Sequence, residues 1–249
     1  MELLKNKVAI VTGGSRGLGK AIALKFASHG ASLILVATNQ ERLNQSADEV
    51  RNRGAKAEIV AGDIAKPEFS EEIVKVTLDN FGQVDILVNC AGVVTRTPVE
   101  ELSLEDWYRV IDVNLHGTFH ACRAVLPFMR TQEHGKIINM TSQMAKLPHP
   151  SASPSYEVSK AGQIALTRHF AYHYAQYNIC VNAIAPGSIN TDMPKSMSHE
   201  ARERLRSVIP LRRLGEPDEV ADCTLFLASS MSDYITGETI DINGGTLMD

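Results

Sequence analysis

The stretch VAIVTGGSRGLGK, residues 8–20, decides which fold this chain can adopt. Val8–Thr12 is a short β-branched apolar run, and the segment Leu18–His29 repeats its apolar residues at helical spacing. In such a strand, turn and helix, glycines let a pyrophosphate approach the backbone while the helix N-terminus presents free N–H groups. An ordinary tight turn also uses glycine, so the stretch alone leaves both interpretations open. It lacks the Gly-Lys-Ser/Thr ending of a P-loop, which argues against a kinase-like phosphate site.

The same alternation of strand and helix continues along the chain. Strands that are nearly continuous apolar runs are typical of a parallel sheet covered on both faces. We therefore predict an α/β fold with a doubly wound, seven-stranded parallel sheet flanked by helices on both faces. No linker, repeat or low-complexity tract interrupts the pattern, which predicts a single dinucleotide-binding and catalytic domain over residues 1–249. Beyond the first strand and helix, the predicted strands are Leu33–Val36, Ala57–Val60, Ile86–Asn89, Lys136–Met140, Cys180–Ala183 and Thr239–Ile242, and the predicted helices are Gln40–Arg53, Glu68–Phe81, Trp107–Met129 and Tyr156–Tyr177.

Composition and charge argue against several classes of protein. The 249 residues carry 25 basic and 29 acidic side chains, a net charge of -4, which lacks the basic excess of a dedicated nucleic-acid binder. No window reaches the roughly 18 apolar residues of a membrane span, and the first residues lack the apolar core of a secretory signal. We therefore expect a cytoplasmic protein with neither a nucleic-acid nor a membrane partner. The four cysteines, Cys90, Cys122, Cys180 and Cys223, lie far apart among apolar neighbours, which predicts buried thiols rather than disulfides.

The end of the second strand predicts which dinucleotide binds. An acidic residue there would accept a hydrogen bond from the ribose 2′-hydroxyl of NAD and would repel the 2′-phosphate of NADP. This chain instead has Ala37-Thr38-Asn39, and Arg16 in the glycine turn can pair with a phosphate. NADP(H) is therefore favoured over NAD(H), the alternative being that Arg16 is a solvated surface charge. Asp63, after the third strand, is either an acceptor for the adenine amino group or a turn cap.

Tyr156 and Lys160 are expected on one helix face, one turn apart, and Ser142 follows an earlier strand. A carbonyl that receives a hydride needs a proton for its developing oxyanion, and a phenol can donate it. We expect the Lys160 cation to lower the pKa of Tyr156 and to hold the nicotinamide ribose, and Ser142 to hydrogen-bond the substrate oxygen. Taken singly, Ser142 could be a strand-end cap and Tyr156 an amphipathic surface ring.

Two segments that follow strands break the alternation, residues 142–155 and residues 186–200. In an open α/β sheet, ligands bind outside the carboxyl ends of the strands. We therefore expect these two loops to form the substrate pocket.

Several short motifs occur in a fixed order over nearly the whole chain. They are Thr12-Gly13-x3-Gly17-x-Gly19, Asn89-x-Ala91-Gly92, Asn114, Ser142, Tyr156-x3-Lys160 and Pro186-Gly187. Together they resemble the short-chain dehydrogenase/reductase family. The resemblance implies a Rossmann fold with Tyr156 as acid/base, aided by Ser142 and Lys160, and with Asn114 holding a proton-relay water through a helix distortion. We expect no metal site. The resemblance implies dinucleotide contacts from Gly13, Ser15, Arg16, Gly17, Leu18, Gly19, Thr38, Asp63, Ile64, Asn89, Ala91, Gly92, Tyr156, Lys160, Pro186, Gly187, Ile189 and Thr191.

Within the family, residues 185–193 and 234–245 are most similar to bacterial 3-oxoacyl-(acyl-carrier-protein) reductases. This implies an NADPH-dependent reductase of a ketone substrate; sugar, polyol and small-ketone dehydrogenases share the same ending and are the alternative. Those reductases commonly place arginines for the carrier protein where this chain has Glu133 and Tyr177. The segment from Ser142 to Tyr156 is also slightly longer than in that subgroup. A non-enzymatic NADP-binding sensor or scaffold would be expected to have lost Ser142, Tyr156 or Lys160, and none is missing.

His169 and His173 lie one turn apart on the same predicted helix. Such a pair can bind a metal, but neither a third ligand nor an adjacent glutamate accompanies it. In relatives this helix packs at a subunit interface, which implies a homotetramer or homodimer with Phe170, Tyr172 and His173 at the contact.

Overall fold

The computed structural model describes residues 2–148, 152–191 and 199–248 of the chain. Within these residues, the strands are β1 (Val8–Thr12), β2 (Ser32–Ala37), β3 (Ala57–Ala61), β4 (Ile86–Asn89), β5 (Gly135–Met140), β6 (Ile179–Pro186) and β7 (Thr239–Ile242). The α-helices are α1 (Gly17–Ser28), α2 (Gln40–Arg51), α3 (Pro67–Phe81), α4 (Leu104–Ile111), α5 (Gly117–Gln132), α6 (Pro154–Tyr174), α7 (His199–Val208) and α8 (Pro217–Ala228), and a π-helical turn, Asp112–His116, joins α4 to α5.

All seven strands pair in parallel in one sheet of order β3-β2-β1-β4-β5-β6-β7, which confirms the predicted seven-stranded Rossmann-type sheet. Chain order reverses between β1 and β4, which pair directly, with Val11 opposite Val88. At such a reversal the following loops diverge to opposite faces of the sheet and open a crevice at the carboxyl ends of the strands. The glycine turn after β1 and the Asn89–Gly92 turn after β4 therefore meet at this crevice.

Helices cover both faces of the sheet, as the apolar runs predict. Successive residues of β1 alternate between two buried clusters, because side chains alternate along a strand. Val11 packs in the cluster that contains Phe26 of α1 and Leu225 of α8, whereas Ile10 packs in the cluster that contains Leu126 of α5. Burial on both sides explains why β1 lacks a polar face.

The structure corrects the predicted bounds of several elements. The helix predicted over Trp107–Met129 begins three residues earlier at Leu104, where Ser103 Oγ accepts from the Asp106 N–H at 3.1 Å, and the π-helical turn interrupts it. Strand β6 continues beyond Ala183 to Pro186 because its last residues pair with β7.

Helix α6 and the two substrate segments also differ from the prediction. The predicted Tyr156–Tyr177 helix begins at Pro154, whose ring suits the first helical turn, and ends at Tyr174 before a 3₁₀ turn. Helix α7 begins inside the segment 186–200, where a loop was predicted. Residues 149–151 of the first segment and 192–198 of the second lie outside the described residues.

Helices α7 and α8 were not predicted. Pro217 lies in the first turn of α8, and the Glu219 carboxylate accepts from the Glu216 N–H at 2.8 Å, which is half of a capping box. Helix α8 then packs against α1 on one face of the sheet. Among the described helices, none is both long and apolar enough to cross a membrane.

Candidate active site

The glycine turn after β1 is tied to the turn after β4. Thr12 Oγ1 accepts hydrogen bonds from the backbone N–H groups of Cys90 and Ala91, each at 3.0 Å. A Cβ on Gly13 would lie 3.0 Å from the backbone of the same two residues, and φ at Gly13 is +72°. The close approach and the left-handed backbone both require glycine. The two turns thus form one continuous wall of the crevice.

The N-terminus of α1 faces an open space beside this wall. Arg16 precedes the helix without capping it, and no acidic residue lies in the first turn, so the first N–H groups have no side-chain acceptor. A Cβ on Gly19 would lie 2.3 Å from the Gly13 carbonyl oxygen, which makes glycine obligatory there too. At Gly17 the nearest atom to such a Cβ is Thr191 Cγ2, 4.0 Å away. An anion between Gly17 and Thr191 would meet the positive end of the helix, which fits a dinucleotide pyrophosphate.

The predicted adenosine end lies at the tips of β2 and β3. Arg16 and Thr38 are exposed, while the Asn39 side chain caps α2. Asp63 Oδ1 accepts from the Ala65 N–H at 3.0 Å, which is the turn-cap geometry. Because a carboxylate can accept several hydrogen bonds, this bond leaves capacity for a second donor such as an adenine amino group.

Lys160 is buried beside the crevice and is held by two hydrogen bonds. Its Nζ donates to the Met140 carbonyl oxygen at 2.8 Å and to Gln163 Oε1 at 3.0 Å, and lies 5.8 Å from the centroid of the Tyr156 ring. Only 5% of the residue is exposed. Burial lowers the pKa of Lys160 to about 8, because a buried ammonium loses its hydration. The lysine therefore titrates close to neutral pH.

Burial raises the pKa of the Tyr156 phenol above its ordinary value, although a hydrogen bond with Ser142 and the charge of Arg96 both lower it. The expectation that Lys160 lowers this pKa does not hold for the site as it stands. Since Lys160 loses its proton near pH 8, it is neutral before the phenol ionises. Tyr156 is therefore a protonated acid at neutral pH.

Ser142 has the capping role that the sequence left open, and it also faces Tyr156. Its Oγ accepts from the Met144 N–H at 3.2 Å, which caps the 3₁₀ turn after β5. It also shares a hydrogen bond with Tyr156. The capping bond fixes the hydroxyl, because it occupies one lone pair and leaves the proton to point toward Tyr156 or a substrate oxygen.

Asn114 lies in the π-helical turn, the helix distortion that the resemblance implied, and is fully buried. Its Oδ1 accepts from the Val93 N–H at 2.8 Å, and its Nδ2 donates to the Val93 carbonyl at 2.9 Å and to Ser159 Oγ at 3.0 Å. Asn114 thereby links the backbone of Val93 to Ser159 of α6 by hydrogen bonds. Its own backbone carbonyl accepts from two further side chains, Gln163 and Thr118.

The structure brings Asn114, Ser142, Tyr156 and Lys160 together. Among the residues predicted to contact the dinucleotide, three have side chains directed into the sheet or the core. Asn89 points into the sheet, where its Nδ2 donates to Asn139 Oδ1 at 2.9 Å, and Ile64 and Ile189 pack in the core. The side chains of these three residues are buried, and their contacts with a dinucleotide stay predictions. The remaining predicted contacts, which line the glycine turn and the carboxyl ends of β4 and β6, are Ser15, Leu18, Ala91, Gly92, Pro186 and Gly187.

Three residues of the site have a role that the sequence did not predict. Thr12 joins the two turns of the crevice, Arg96 acts electrostatically on Tyr156, and Gln163 contacts Lys160. Gln163 was detectable in principle, because a polar residue three positions after a functional lysine shares its helix face. Thr12 and Arg96 carry no such local signal.

His169 and His173 are both exposed on α6, with ring centroids 4.4 Å apart. Among the described residues, no group of three or more histidine, cysteine or acidic side chains could hold a metal ion. Tyr172 is 84% exposed on the same stretch of helix, and the Phe170 ring stacks on Phe119 of α5.

The fold and the site together define the class of this protein. A glycine turn at an uncapped helix N-terminus suits a dinucleotide, and a serine, a protonated phenol and a buried lysine at the neighbouring strand ends suit proton transfer to a reduced carbonyl. These are the parts of a nicotinamide-dependent oxidoreductase.

Comparison with known proteins identifies the family. Residues 13–246 match a family model described as enoyl-(acyl carrier protein) reductase. The 3-oxoacyl-[acyl-carrier-protein] reductase of Synechocystis sp. is 39% identical over 100% of both chains, and that of Aquifex aeolicus is 40% identical over 98% of this chain and 99% of its own. The solved structure of a putative gluconate dehydrogenase from Agrobacterium tumefaciens superposes with a TM-score of 0.94 and 39% identity over 99% of this chain and 98% of its own. The chain belongs to the short-chain dehydrogenase/reductase family of NAD(P)-dependent enzymes.

Proposed function

We propose that this protein is an NADPH-dependent reductase that acts on the ketone of a 3-oxoacyl thioester. The observation that carries the proposal is the contact set of Ser142, Tyr156 and Lys160 beside the glycine-lined crevice. The relatives named as 3-oxoacyl-[acyl-carrier-protein] reductases support this substrate class. A sensor or scaffold without turnover would have no use for a buried lysine and a serine fixed beside a phenol, which disfavours that alternative.

The dinucleotide would lie along the carboxyl ends of β1 and β4. The turn Gly13–Gly19 would hold the pyrophosphate, Arg16 and Thr38 the 2′-phosphate, and Tyr156 and Lys160 the nicotinamide ribose. The exposed Arg16 and the missing carboxylate at Ala37 support NADP(H) over NAD(H). When bound, NADPH supplies the hydride that is added to the carbonyl carbon.

The protein supplies the proton. Negative charge develops on the carbonyl oxygen as the carbon is reduced, and Ser142 can stabilise it by donating a hydrogen bond. Tyr156 donates its phenolic proton to the same oxygen, since its raised pKa keeps it protonated at neutral pH. In the oxidation direction the phenol must first ionise, so that direction is favoured by high pH.

A second candidate substrate is a small hydroxy or keto acid related to a sugar. The specific observation is Arg96, an exposed side chain in the segment after β4 whose positive charge acts on Tyr156. A guanidinium there suits a substrate carboxylate. The solved relative described as a putative gluconate dehydrogenase is consistent with this alternative.

Assembly would use the exposed faces of α5 and α6. Phe119 on α5 and Tyr172 and His173 on α6 are exposed aromatic side chains, which a monomer would leave in contact with water. We propose that two copies pack these faces of α5 and α6 against each other in a homodimer, or that the same faces pack between the copies of a homotetramer.

The decisive experiment is a substrate screen that follows NADPH oxidation by absorbance. Acetoacetyl thioesters, small diketones and keto-gluconates represent the competing substrate classes, and Arg96→Met is the matched variant. The thioester assignment requires the highest kcat/KM with thioesters and little effect of Arg96→Met. The highest kcat/KM with a keto acid, together with a KM increase in Arg96→Met, would replace it with the second candidate.

A further inference from the structure

A fully buried carboxamide lies next to Lys160 on α6. Gln163 Oε1 accepts from Lys160 Nζ at 3.0 Å, and Gln163 Nε2 donates to the Asn114 carbonyl oxygen at 2.9 Å and to Thr118 Oγ1 at 2.6 Å. One side chain thus connects α6 to the π-helical turn and to the first turn of α5. An uncharged residue buried among so many polar partners is placed by its hydrogen bonds rather than by apolar packing.

The hydrogen-bond partners determine how this carboxamide is oriented. An ammonium can only donate and a backbone carbonyl can only accept, so the oxygen must face Lys160 and the nitrogen must face Asn114. The Thr118 hydroxyl completes the network, since it donates to the Asn114 carbonyl at 2.8 Å and accepts from Gln163. A flipped carboxamide would break both ends of the connection.

Gln163 restricts the direction of the Lys160 ammonium. Two of the three N–H groups are used, one by the Met140 carbonyl at 2.8 Å and one by Gln163. Because the ammonium is tetrahedral, two fixed bonds determine where the third N–H points. Nζ lies 3.6 Å from the position that a Cβ on Gly92 would take and 5.8 Å from the Tyr156 ring centroid, at the crevice side of α6.

The same carboxamide donates a hydrogen bond to the Asn114 backbone carbonyl of the π-helical turn. The hydrogen bonds of this turn are displaced by one residue, so that the Gly117 N–H donates to the Asp112 carbonyl. The Asn114 carbonyl accepts from Gln163 and Thr118, which together use the two lone pairs of its oxygen. Lys160 is therefore connected to this turn through the protein itself.

We propose that Gln163 is a positioning residue that holds the Lys160 ammonium against the π-helical turn and directs its remaining N–H into the active site. The proposal rests on the proposed function insofar as it gives Lys160 a role in turnover. Whatever the substrate is, the proposed stabilisation of the charged form of Lys160 by Gln163 is the same.

The surroundings of Lys160 make its titration a sensitive readout. The titratable groups near the ammonium are the Tyr156 phenol on α6 and the Cys90 thiol after β4, and burial raises the pKa of Cys90 to about 11. Both are neutral at pH 8, so the acceptors on Met140 and Gln163 are what oppose the desolvation of Lys160. Removing one acceptor must lower the lysine pKa, and replacing it with a carboxylate must raise it.

The experiment measures the pKa of Lys160 by NMR titration of protein labelled with ¹³C at the lysine ε-carbon, with the signal assigned from Lys160→Met. Gln163→Met keeps the length of the side chain and removes the acceptor, and we expect the Lys160 pKa to fall by about one unit or more. Gln163→Glu should raise it instead. The opposite signs mean that either variant alone decides the question if the other fails to fold.

Thr167→Val is the matched control on the same face of α6. Thr167 is also fully buried, its hydroxyl donates to the Gln163 backbone carbonyl at 2.8 Å, and it accepts from Asn139 Nδ2 at 2.8 Å. It contacts the same network without contacting Lys160. Thr167→Val should lower the melting temperature and leave the Lys160 pKa unchanged.

The pH profile of kcat/KM for reduction gives a second readout. The alkaline limb should move to lower pH in Gln163→Met and to higher pH in Gln163→Glu, in step with the NMR values. An unchanged Lys160 pKa in whichever Gln163 variant folds would overturn the proposal and leave Gln163 with a purely structural role. If the wild type reduces none of the screened carbonyl compounds, the proposed function fails, whereas the NMR titration still decides the role of Gln163.

Discussion

Replacement of Tyr156 by phenylalanine tests the proton donor directly. The variant keeps the ring and loses only the hydroxyl. Ser142 retains its capping bond to the Met144 N–H, so neither the 3₁₀ turn nor the start of α6 depends on the phenol. The fold and the binding of NADPH should therefore survive, while the proton for the developing oxyanion is lost.

The expected magnitudes separate catalysis from stability. Tyr156 loses one hydrogen bond, to Ser142, in a half-buried position, and such a bond contributes about 0.5–1.5 kcal/mol to the free energy of unfolding. General acid catalysis accelerates a reaction by about 10²–10⁴-fold, which corresponds to about 3–5 kcal/mol of activation free energy. The effect on kcat should therefore greatly exceed the effect on stability.

The assay combines steady-state carbonyl reduction, fluorescence titration with NADPH and thermal unfolding. Tyr234→Phe is the control, because Tyr234 is fully exposed and belongs neither to the site nor to the proposed subunit contact. It should match the wild type in all three measurements. If Tyr156→Phe binds NADPH normally and keeps more than about a tenth of wild-type kcat where chemistry limits turnover, another group donates the proton.

Three further variants or comparisons test the cofactor, the carrier protein and the lysine. Ala37→Asp should shift the ratio of kcat/KM values toward NADH, because a carboxylate at the end of β2 repels the 2′-phosphate that Arg16 would pair with; a wild type that already prefers NADH refutes the assignment. Carrier-linked and simple thioesters should give similar kcat/KM, since Glu133 is acidic and Tyr177 is uncharged where the carrier-protein reductases commonly have arginines; a large, salt-sensitive advantage of the carrier-linked form would contradict this. Lys160→Met should lower kcat and NADPH affinity together and leave the Met140 carbonyl without its donor, and full NADPH affinity by titration would exclude a ribose contact.

Much of the fold followed from local patterns. The run Val8–Thr12 and the four-residue run Ile86–Asn89 are apolar up to their last residue, so their burial on both faces of a parallel sheet was predictable, and both strands have the predicted bounds. Helices α7 and α8 were not predicted, because α7 is rich in charged residues and α8 follows the last of the short motifs. The extension of β6 to Pro186 depends on pairing with β7, some 50 residues later, which no local pattern encodes.

The sequence by itself determined the parts of the site, because glycines at 13, 17 and 19 and the Tyr156–Lys160 spacing are properties of neighbouring residues. Only the tertiary structure decided how those parts are charged and connected. The order in which Lys160 and Tyr156 lose their protons depends on burial by distant segments. Because burial leaves the lysine neutral before the phenol ionises, the expected lowering of the phenol's pKa by the lysine is absent. The bridge from Lys160 through Gln163 to Asn114 joins residues up to 49 positions apart, and it exists because the π-helical turn presents its carbonyl to α6. Desolvation and long-range hydrogen bonds are set by what packs around a side chain, which is why they could be learned only from the folded chain.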